Sequence, residues 1–231
     1  MDQKPKTSNL SNQQSRVRKL FGEKSTNYAS SSLLVNRENL AQVMDIVGIH
    51  ENDLVLDVAT GTGYMAVAAA EAHARVVATD FTLEMLLETR KALKGWESQT
   101  DLALMDADRL AFSSNSFDVV TCRVSLHHFV NPENAIGEMA RVCKPGGRVI
   151  IMDVVSSEDR RKSELHNTMG KMRDPSEVRQ WQPSEIQGMM KEAGLSIDRV
   201  EAWSHEMAFD EWISLGEADA ETAARLKKMM I

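Results

Sequence analysis

The stretch that decides the fold is Val55-Leu56-Asp57-Val58-Ala59-Thr60-Gly61-Thr62-Gly63-Tyr64. An apolar run, Leu54 to Ala59, leads into a glycine turn, and an alanine-rich helical segment follows near residues 64–72. Glycines at this point allow a sharp turn and a close approach of the backbone to a ligand. The stretch therefore predicts a strand, a ligand-binding turn and a helix.

The same alternation continues on the C-terminal side of the turn. Short apolar runs typical of strands lie at Val76–Thr79, Leu102–Met105, Val119–Val124 and Val149–Val155. Helical segments lie between them near residues 83–93 and 133–143, and the breaker cluster 144–147 turns the chain into the last of these strands. Regular strand–helix alternation predicts a doubly wound α/β domain whose largely parallel sheet is covered by helices on both faces.

The flanks of this core have a different pattern. Residues 1–11 are polar and predict a disordered lead-in, and residues 12–231 predict a single domain. Helical spacing at 13–21 and 33–47 predicts an N-terminal region of helices, residues 12–48, before the core at 53–155. We expect helices at 158–172, 184–193 and 217–230, and two strands, Ile197–Trp203 and Met207–Trp212, that form an antiparallel hairpin.

Composition limits the function. The chain has 231 residues, 42% of them hydrophobic, and a net charge of -7, which disfavours nucleic acid as a partner. The two cysteines form no metal or disulfide pattern, and the N-terminus lacks the apolar core of a signal peptide. No apolar run approaches the roughly 18 residues of a membrane span. We expect a cytoplasmic protein, a monomer or homodimer.

Two carboxylates bear on the identity of the ligand. Gly61, Gly63 and Ala66 satisfy a dinucleotide fingerprint, and Asp80, placed to accept ribose hydroxyls, follows. Asp57 would repel a pyrophosphate but attract a cation. S-adenosylmethionine offers an ammonium and a sulfonium that suit Asp57, and a ribose placed to reach Asp80. The structural alternative for Asp57 is a helix or turn cap.

Six segments in order then resemble those of the class I S-adenosylmethionine-dependent methyltransferases, the small-molecule branch of quinone-biosynthesis C-methyltransferases and malonyl-carrier O-methyltransferases. The resemblance covers about residues 21–203. Its segments are Asp57–Gly63, Asp80–Leu86, Met105–Asp108, Ser116–Val120, Leu126–Phe129 and Lys144–Gly147. It implies a Rossmann-like, seven-stranded, mostly parallel sheet with the C-terminal hairpin and an N-terminal helical lid. It also implies that residues 156–194 form an acceptor-side insertion and helix, and that 195–231 close the domain.

The resemblance also implies the cofactor contacts. Asp57 and the backbone of Ala59 and Gly61 would hold the methionine end, Asp80 the ribose, and Phe81 or Met85 the adenosine. Asp106 and the Ala107 N–H would meet the adenine. The remaining cofactor-binding residues of this expectation are Thr60, Gly63, Cys122 and Arg123. The family commonly has Gly and Cys where this chain has Ala59 and Thr60.

Methyl transfer is an in-line displacement, so the enzyme aligns the nucleophile and, where required, removes a proton. The candidate catalytic residues are His127, His128, His166 and Tyr28. Arg173 and Arg179 are candidates for binding a carboxylate or phosphate of the acceptor, with surface ion pairs as the alternative. We expect no metal site, because the histidines lack ligand spacing.

The leading hypothesis is therefore transfer of a methyl group from S-adenosylmethionine to an O, N or C nucleophile of a small molecule, with S-adenosylhomocysteine as the product. Two alternatives remain open at this point. One is an NAD(P)-dependent oxidoreductase, which the glycine fingerprint and Asp80 would suit. The other is a non-catalytic protein that binds S-adenosylmethionine.

Overall fold

The computed structural model of the chain describes residues 7–28, 43–204 and 206–230, with the side chains of the first range described for residues 13–25. The strands are β1 Leu54–Val58, β2 Arg75–Asp80, β3 Thr100–Leu104, β4 Phe117–Arg123 and β5 Cys143–Met152. The helices are α1 Thr7–Tyr28, α2 Tyr64–Glu71, α3 Leu83–Ala92, α4 Pro132–Val142, α5 Arg160–Arg173, α6 Pro183–Glu192, α7 Phe209–Ser214 and α8 Ala220–Met229, and a 3-10 turn spans Leu126–His128. Residues 43–47 are also helical.

The five strands form one parallel sheet in the order β3-β2-β1-β4-β5. The chain starts the sheet at β1, moves outward through β2 and β3, and then returns to the other side of β1 with β4. This reversal creates a crevice at the carboxyl ends of β1 and β4, which is where open α/β sheets bind ligands. The expected doubly wound α/β fold is confirmed.

Alternation along the strands divides the core between the two faces of the sheet. In β1, Val55 packs with the alanine-rich α2, whereas Leu56 packs with α4 and α6. Both side chains are fully buried, and each burial stabilises the fold by roughly 1.5–3 kcal/mol. Helices cover both faces of the sheet, so the side chains of β1 are apolar at every position except Asp57.

The end of the chain differs from expectation. The sheet has five strands among the described residues, not seven, and the hairpin is not found: Ile197–Trp203 has no regular structure and Phe209–Ser214 is a helix. The apolar run that predicted the second strand is short, and such runs fit either element. In the helix, Phe209 and Trp212 lie three residues apart on one face, with ring centroids 6.0 Å apart. Without that strand, the first has no hairpin partner.

The N-terminal expectation changes at its start. Helix α1 begins at Thr7, so the described part of the expected lead-in is helical, because a helix nucleated farther along extends at little cost. Of the helix expected at 33–47, residues 43–47 are helical and the rest lies outside the described residues. The helices expected at 158–172, 184–193 and 217–230 are found with ends shifted by one to three residues.

Candidate functional site

A cavity of about 840 Å³ opens above the carboxyl ends of the strands. Strand β1 contributes Asp57, β2 contributes Asp80, β4 contributes Arg123, and Asp106 and Asp153 follow β3 and β5. This volume is within the range of small-molecule sites. The order of the strands therefore places one end of the cavity over β1 to β3 and the other over β4 and β5.

The glycine turn forms the floor of the first end. Three of its residues have a left-handed backbone, with φ of 53° at Ala59, 58° at Gly61 and 87° at Gly63. A Cβ at Gly63 would lie 2.9 Å from Thr89 Cγ2, whereas a Cβ at Gly61 would meet nothing within 4 Å. Gly63 therefore serves the packing of α2 on α3 and lies outside the cavity lining, and Gly61 leaves open space beside the backbone.

Asp57 is buried near the carboxyl end of β1. Its carboxylate accepts hydrogen bonds from the hydroxyls of Thr60 at 2.6 Å and Thr121 at 2.7 Å. Burial raises the pKa of Asp57 to about 6, although these two bonds and the nearby charge of Arg123 act in the opposite direction. The two hydroxyl groups thus hold the Asp57 carboxylate in position. Together with Arg123 they offset only part of the cost of burying its negative charge.

Asp80 lies one strand away and is tied to the turn. Its carboxylate accepts from the backbone N–H of Gly61 at 2.9 Å and of Thr82 at 2.8 Å. Burial raises the pKa of Asp80 to about 6, and the charge of Asp57 contributes in the same direction. A carboxylate has about four acceptor positions, so Asp80 can still accept from a ligand.

The cavity continues toward β3 between apolar and polar walls. Phe81 lies under the guanidinium of Arg18, with Cζ 4.0 Å from the ring centroid, and Met85 is buried behind it. Gln14 Nε2 donates to Asp106 Oδ2 at 3.0 Å. Helix α1 thus contributes residues to the lining of this end of the cavity. Ala107, which follows Asp106, is buried in the lining of the cavity.

Two expected cofactor residues of β4 have different surroundings. Arg123 lines the cavity, and burial lowers its pKa while Asp57 opposes that shift. Cys122 points into the core formed with α4 and does not line the cavity. Successive side chains of a strand point to opposite faces of the sheet, which accounts for the different surroundings of the two residues. A role of Cys122 at the cofactor site stays a prediction.

The other end of the cavity holds the two histidines of the 3-10 turn, whose ring centroids are 4.1 Å apart. His127 Nδ1–H donates to Asp153 Oδ1 at 2.6 Å. His128 Nδ1–H donates to the carbonyl oxygen of Ser176 at 3.1 Å, and Phe21 of α1 packs edge-on against its ring. Both side chains are buried, and each has a defined polar partner.

The other candidates from the sequence are not brought together. His166 is exposed on α5 and does not line the cavity. Arg179 also lies outside the lining and donates twice to Glu185, at 2.7 and 3.0 Å, at the start of α6. Arg173 does line the cavity, but its guanidinium pairs with Glu177. The side chain of Tyr28 lies outside the described residues. Both arginines therefore form ion pairs, and that of Arg173 with Glu177 is buried and not at the surface. Binding of the acceptor by either arginine stays a prediction.

Polar groups of the cavity that the sequence analysis does not identify as site residues include Asp153, Glu177 and Gln14. The sequence prediction places Asp153 inside a strand, although the rule that functional groups follow parallel strands would identify it. Gln14 lies on α1 and Glu177 lies between α5 and α6, both far from the core motifs, and neither carries a local signal.

The described residues contain no group of three His, Cys, Asp or Glu side chains placed to hold a metal ion. Their helices include none that is both long and apolar enough to cross a membrane.

Comparisons with known proteins agree on one family. The family model described as "Methyltransferase domain" matches residues 56–151. The uncharacterised methyltransferase YcgJ of Bacillus subtilis is 29% identical over 203 residues, covering 87% of this chain and 80% of that protein. The demethylmenaquinone methyltransferase of Renibacterium salmoninarum is 41% identical over 111 residues, covering 48% of this chain and 45% of that protein. The crystal structure of a proposed methyltransferase from Bacillus halodurans superimposes with a TM-score of 0.78 at 32% identity, covering 82% of each chain.

Proposed function

The chain belongs to the methyltransferase domain family, and we propose that it transfers the methyl group of S-adenosylmethionine to a nucleophilic O, N or C atom of a small molecule. The observation that carries the cofactor assignment is the pair of buried carboxylates, Asp57 and Asp80, beside the glycine turn. Family membership disfavours the oxidoreductase alternative, because that reaction needs no methyl donor.

The residues at this end of the cavity fit the cofactor chemically. The pKa values of Asp57 and Asp80 are both raised to about 6 by burial, so each ionised carboxylate lacks a full counter-charge. A cationic ligand would supply that charge. The open space beside Gly61 admits a ligand close to the backbone. When bound, S-adenosylmethionine supplies an electrophilic methyl group on a positively charged sulfur.

We assign the contacts by position along the cavity. Asp57 and the turn residues Ala59, Thr60 and Gly61 would hold the ammonium and carboxylate of the methionine end. Asp80 would accept the ribose hydroxyls, and Phe81 and Met85 would pack against the adenosine. Asp106 would accept the adenine amino group in place of the Gln14 amide, which presents the same kind of N–H donor. Arg123 borders the methionine end beside Asp57.

The acceptor would bind over β4 and β5. The mouth there carries four partly exposed apolar side chains, Val154, Val155, Val200 and Trp203, which favour an acceptor with apolar surface. The match to the demethylmenaquinone methyltransferase spans less than half of that protein, so its substrate is not transferred to this chain.

Thermal denaturation with separate additions of S-adenosylmethionine, S-adenosylhomocysteine and NAD tests this assignment. A ligand at about 100 times its dissociation constant stabilises a protein by roughly 2.7 kcal/mol. We expect a higher melting temperature with the first two ligands and no change with NAD. A shift with NAD alone would overturn the proposed function.

A further inference from the structure

Asp153 is a buried carboxylate at the carboxyl end of β5 that the cofactor contacts leave unused. Its Oδ1 accepts from His127 Nδ1–H at 2.6 Å and from the backbone N–H of Val154 at 2.6 Å. Its Oδ2 accepts from the backbone N–H of His127 at 3.0 Å. Three donors therefore fix the carboxylate, and the carboxylate in turn holds His127 at both its ring and its backbone.

This arrangement decides which ring nitrogen of His127 is available. An ionised carboxylate only accepts hydrogen bonds, so Nδ1 must carry the proton, and the lone pair of the neutral ring is on Nε2. Among the described residues no group hydrogen-bonds Nε2, and His127 lines the cavity. The backbone carbonyl of His127 is held from the opposite side by the N–H groups of Val178 and Arg179, at 2.9 and 3.1 Å.

We propose that Asp153 is a positioning residue that orients His127 as the base of the reaction, and that the acceptor is an unsaturated compound with an ionisable hydroxyl of the phenol or enol type. This inference rests on the proposed function. It goes further, because it names the group that receives the proton and the class of acceptor that needs such a group.

The acceptor hydroxyl transfers its proton to His127 Nε2, which gives an imidazolium beside the Asp153 carboxylate. The electron pair on the acceptor oxygen, or on the carbon conjugated with it, forms a bond to the methyl carbon. The bond from that carbon to sulfur breaks with its electron pair on sulfur, so the positive charge ends on His127.

The charges around His127 support a proton on its ring. Burial lowers the pKa of His127, but the Asp153 carboxylate, by charge and by hydrogen bond, outweighs burial and raises it above the usual value. The facing charged groups of the other elements are Glu177, which acts in the same direction, and Arg173, which opposes it. A base with a raised pKa lies closer to a phenol hydroxyl, whose pKa is about 10.

His128 fits a different role. Its pKa is lowered by burial and by the neighbouring His127, so it stays neutral when His127 is protonated. Its ring packs between Phe21 and His127 and is bonded to Ser176. A neutral, bonded ring supports the position of His127 without competing for the acceptor proton.

Two properties of the site favour this class of acceptor, namely the presence of a positioned base and the apolar lining of the cavity. A thioether or tertiary amine attacks a methyl group without losing a proton, so a positioned base would serve no purpose for such an acceptor. The cavity is also lined by Trp212, Met190 and Ile186, whose side chains favour an apolar, flat molecule.

Nitrogen NMR of histidine-labelled protein tests the geometry without any acceptor. We expect the neutral form of His127 to carry its proton on Nδ1, and its pKa to fall by at least one unit in D153N, because an adjacent opposite charge is worth about 1–3 units. The signals of His166, which is exposed on α5, should coincide in the two proteins and serve as the control. A proton on Nε2, or an unchanged His127 pKa in D153N, would contradict the proposal.

A spectroscopic probe tests the acceptor class. We would add 4-nitrophenol, whose phenolate absorbs at longer wavelength than the phenol, to the protein saturated with S-adenosylhomocysteine, with 4-nitroanisole as the proton-free control. We expect the phenolate fraction at a given pH to exceed that of free 4-nitrophenol. The phenolate-to-phenol ratio should fall at least about tenfold in H127Q and in D153N, with H166Q matching the wild type.

Calorimetry of S-adenosylhomocysteine binding separates the two proposals. We expect both variants to bind it like the wild type, because His127 and Asp153 lie at the other end of the cavity. Normal binding with the same nitrophenol spectrum in wild type, H127Q and D153N would overturn the inference alone. Failure of the wild type to bind S-adenosylhomocysteine would remove the proposed function and the inference with it.

Discussion

Ala59 has a left-handed backbone, with φ of 53°, although its Cβ disfavours that conformation by about 1–2 kcal/mol. The strain lies in the turn that lines the cavity, and the Ser125 hydroxyl donates to the Ala59 carbonyl at 3.2 Å. Glycine has no Cβ and would adopt the same backbone without this strain.

We therefore expect A59G to stabilise the protein. Relief of strain exceeds the unfolded-state entropy that glycine adds, about 0.4–1 kcal/mol, so the net gain is about 0.5–1 kcal/mol. Differential scanning calorimetry would show a melting temperature raised by about 1–4 °C. The matched control is A72G, at φ of -80°, which has no strain to relieve and should destabilise. Equal effects at both positions would contradict the strain at Ala59.

Asp57 combines a binding role with a cost in stability. Its charge is buried and its pKa is raised to about 6, so the ionised form destabilises the fold at neutral pH. An asparagine keeps the shape, and the hydroxyls of Thr60 and Thr121 can rotate to donate or accept.

For D57N we expect weaker cofactor binding in a fold at least as stable as the wild type. Loss of a charged hydrogen bond of about 1.5–3 kcal/mol predicts affinity for S-adenosylmethionine reduced by about 10- to 150-fold. Isothermal titration calorimetry measures the affinity, and urea denaturation at pH 7 measures the stability. Unchanged affinity would contradict a role of Asp57 in cofactor binding. A large loss of stability with unchanged affinity would indicate that Asp57 acts only as a turn cap.

At the scale of elements, the β1–α2 turn uses its two glycines differently. Gly61 and Gly63 both have positive φ, but only the Gly63 Cα is packed against Thr89 of α3. The Thr89 hydroxyl also donates to the Gly61 carbonyl at 2.7 Å, so α3 fixes the turn from behind. Gly61 thus leaves space for a ligand, whereas Gly63 allows α2 to pack closely on α3.

We expect G63A to cost more stability than G61A. Both substitutions carry the left-handed penalty of about 1–2 kcal/mol, but G63A adds overlap with Thr89 worth about another 1–3 kcal/mol. Chemical denaturation of both variants would measure the difference. The double variant G63A/T89S removes the overlapping methyl, keeps the hydroxyl, and should recover part of the loss. Equal costs at the two glycines would contradict this packing.

At the scale of the whole molecule, the parallel sheet gathers acidic groups at one edge. The strands end together, so Asp57 and Asp80 are brought close enough for the charge of one to raise the pKa of the other. Such raised pKa values mean that the fold binds protons more tightly than the unfolded chain. The stability from these groups is therefore present at low pH and lost as pH rises through about 6.

A cationic cofactor would offset the cost of burying the ionised carboxylates of Asp57 and Asp80. We therefore expect the affinity for the cofactor to depend on pH. Below about pH 6 both carboxylates take up protons, and the affinity for S-adenosylmethionine should fall about tenfold per group between pH 7 and pH 5. Calorimetry across this range should also detect proton release on binding. The D57N variant retains Asp80 alone and should show a shallower dependence. An affinity independent of pH would contradict charge recognition by these carboxylates.

The predictable part of the site follows the chain's local patterns. The glycine turn, Asp57 and Asp80 lie in or directly after apolar strands, and their position at one sheet edge follows from parallel topology. The direction of the Cys122 side chain could not be predicted, because the two faces of a strand cannot be distinguished in the sequence when both are buried and apolar. The ion pair of Arg179 could not be predicted either, because it depends on where the first turn of α6 places Glu185.

The doubly wound core, the glycine turn and the acidic strand ends can be predicted from the sequence, because each depends on residues within one strand–turn–helix unit. The folded chain was needed to find that His127 pairs with Asp153, 26 residues away, that α1 contacts the cavity, and that Phe209–Ser214 is a helix. These outcomes depend on strand register and on contacts between distant elements. Local spacing and propensity carry no information about either.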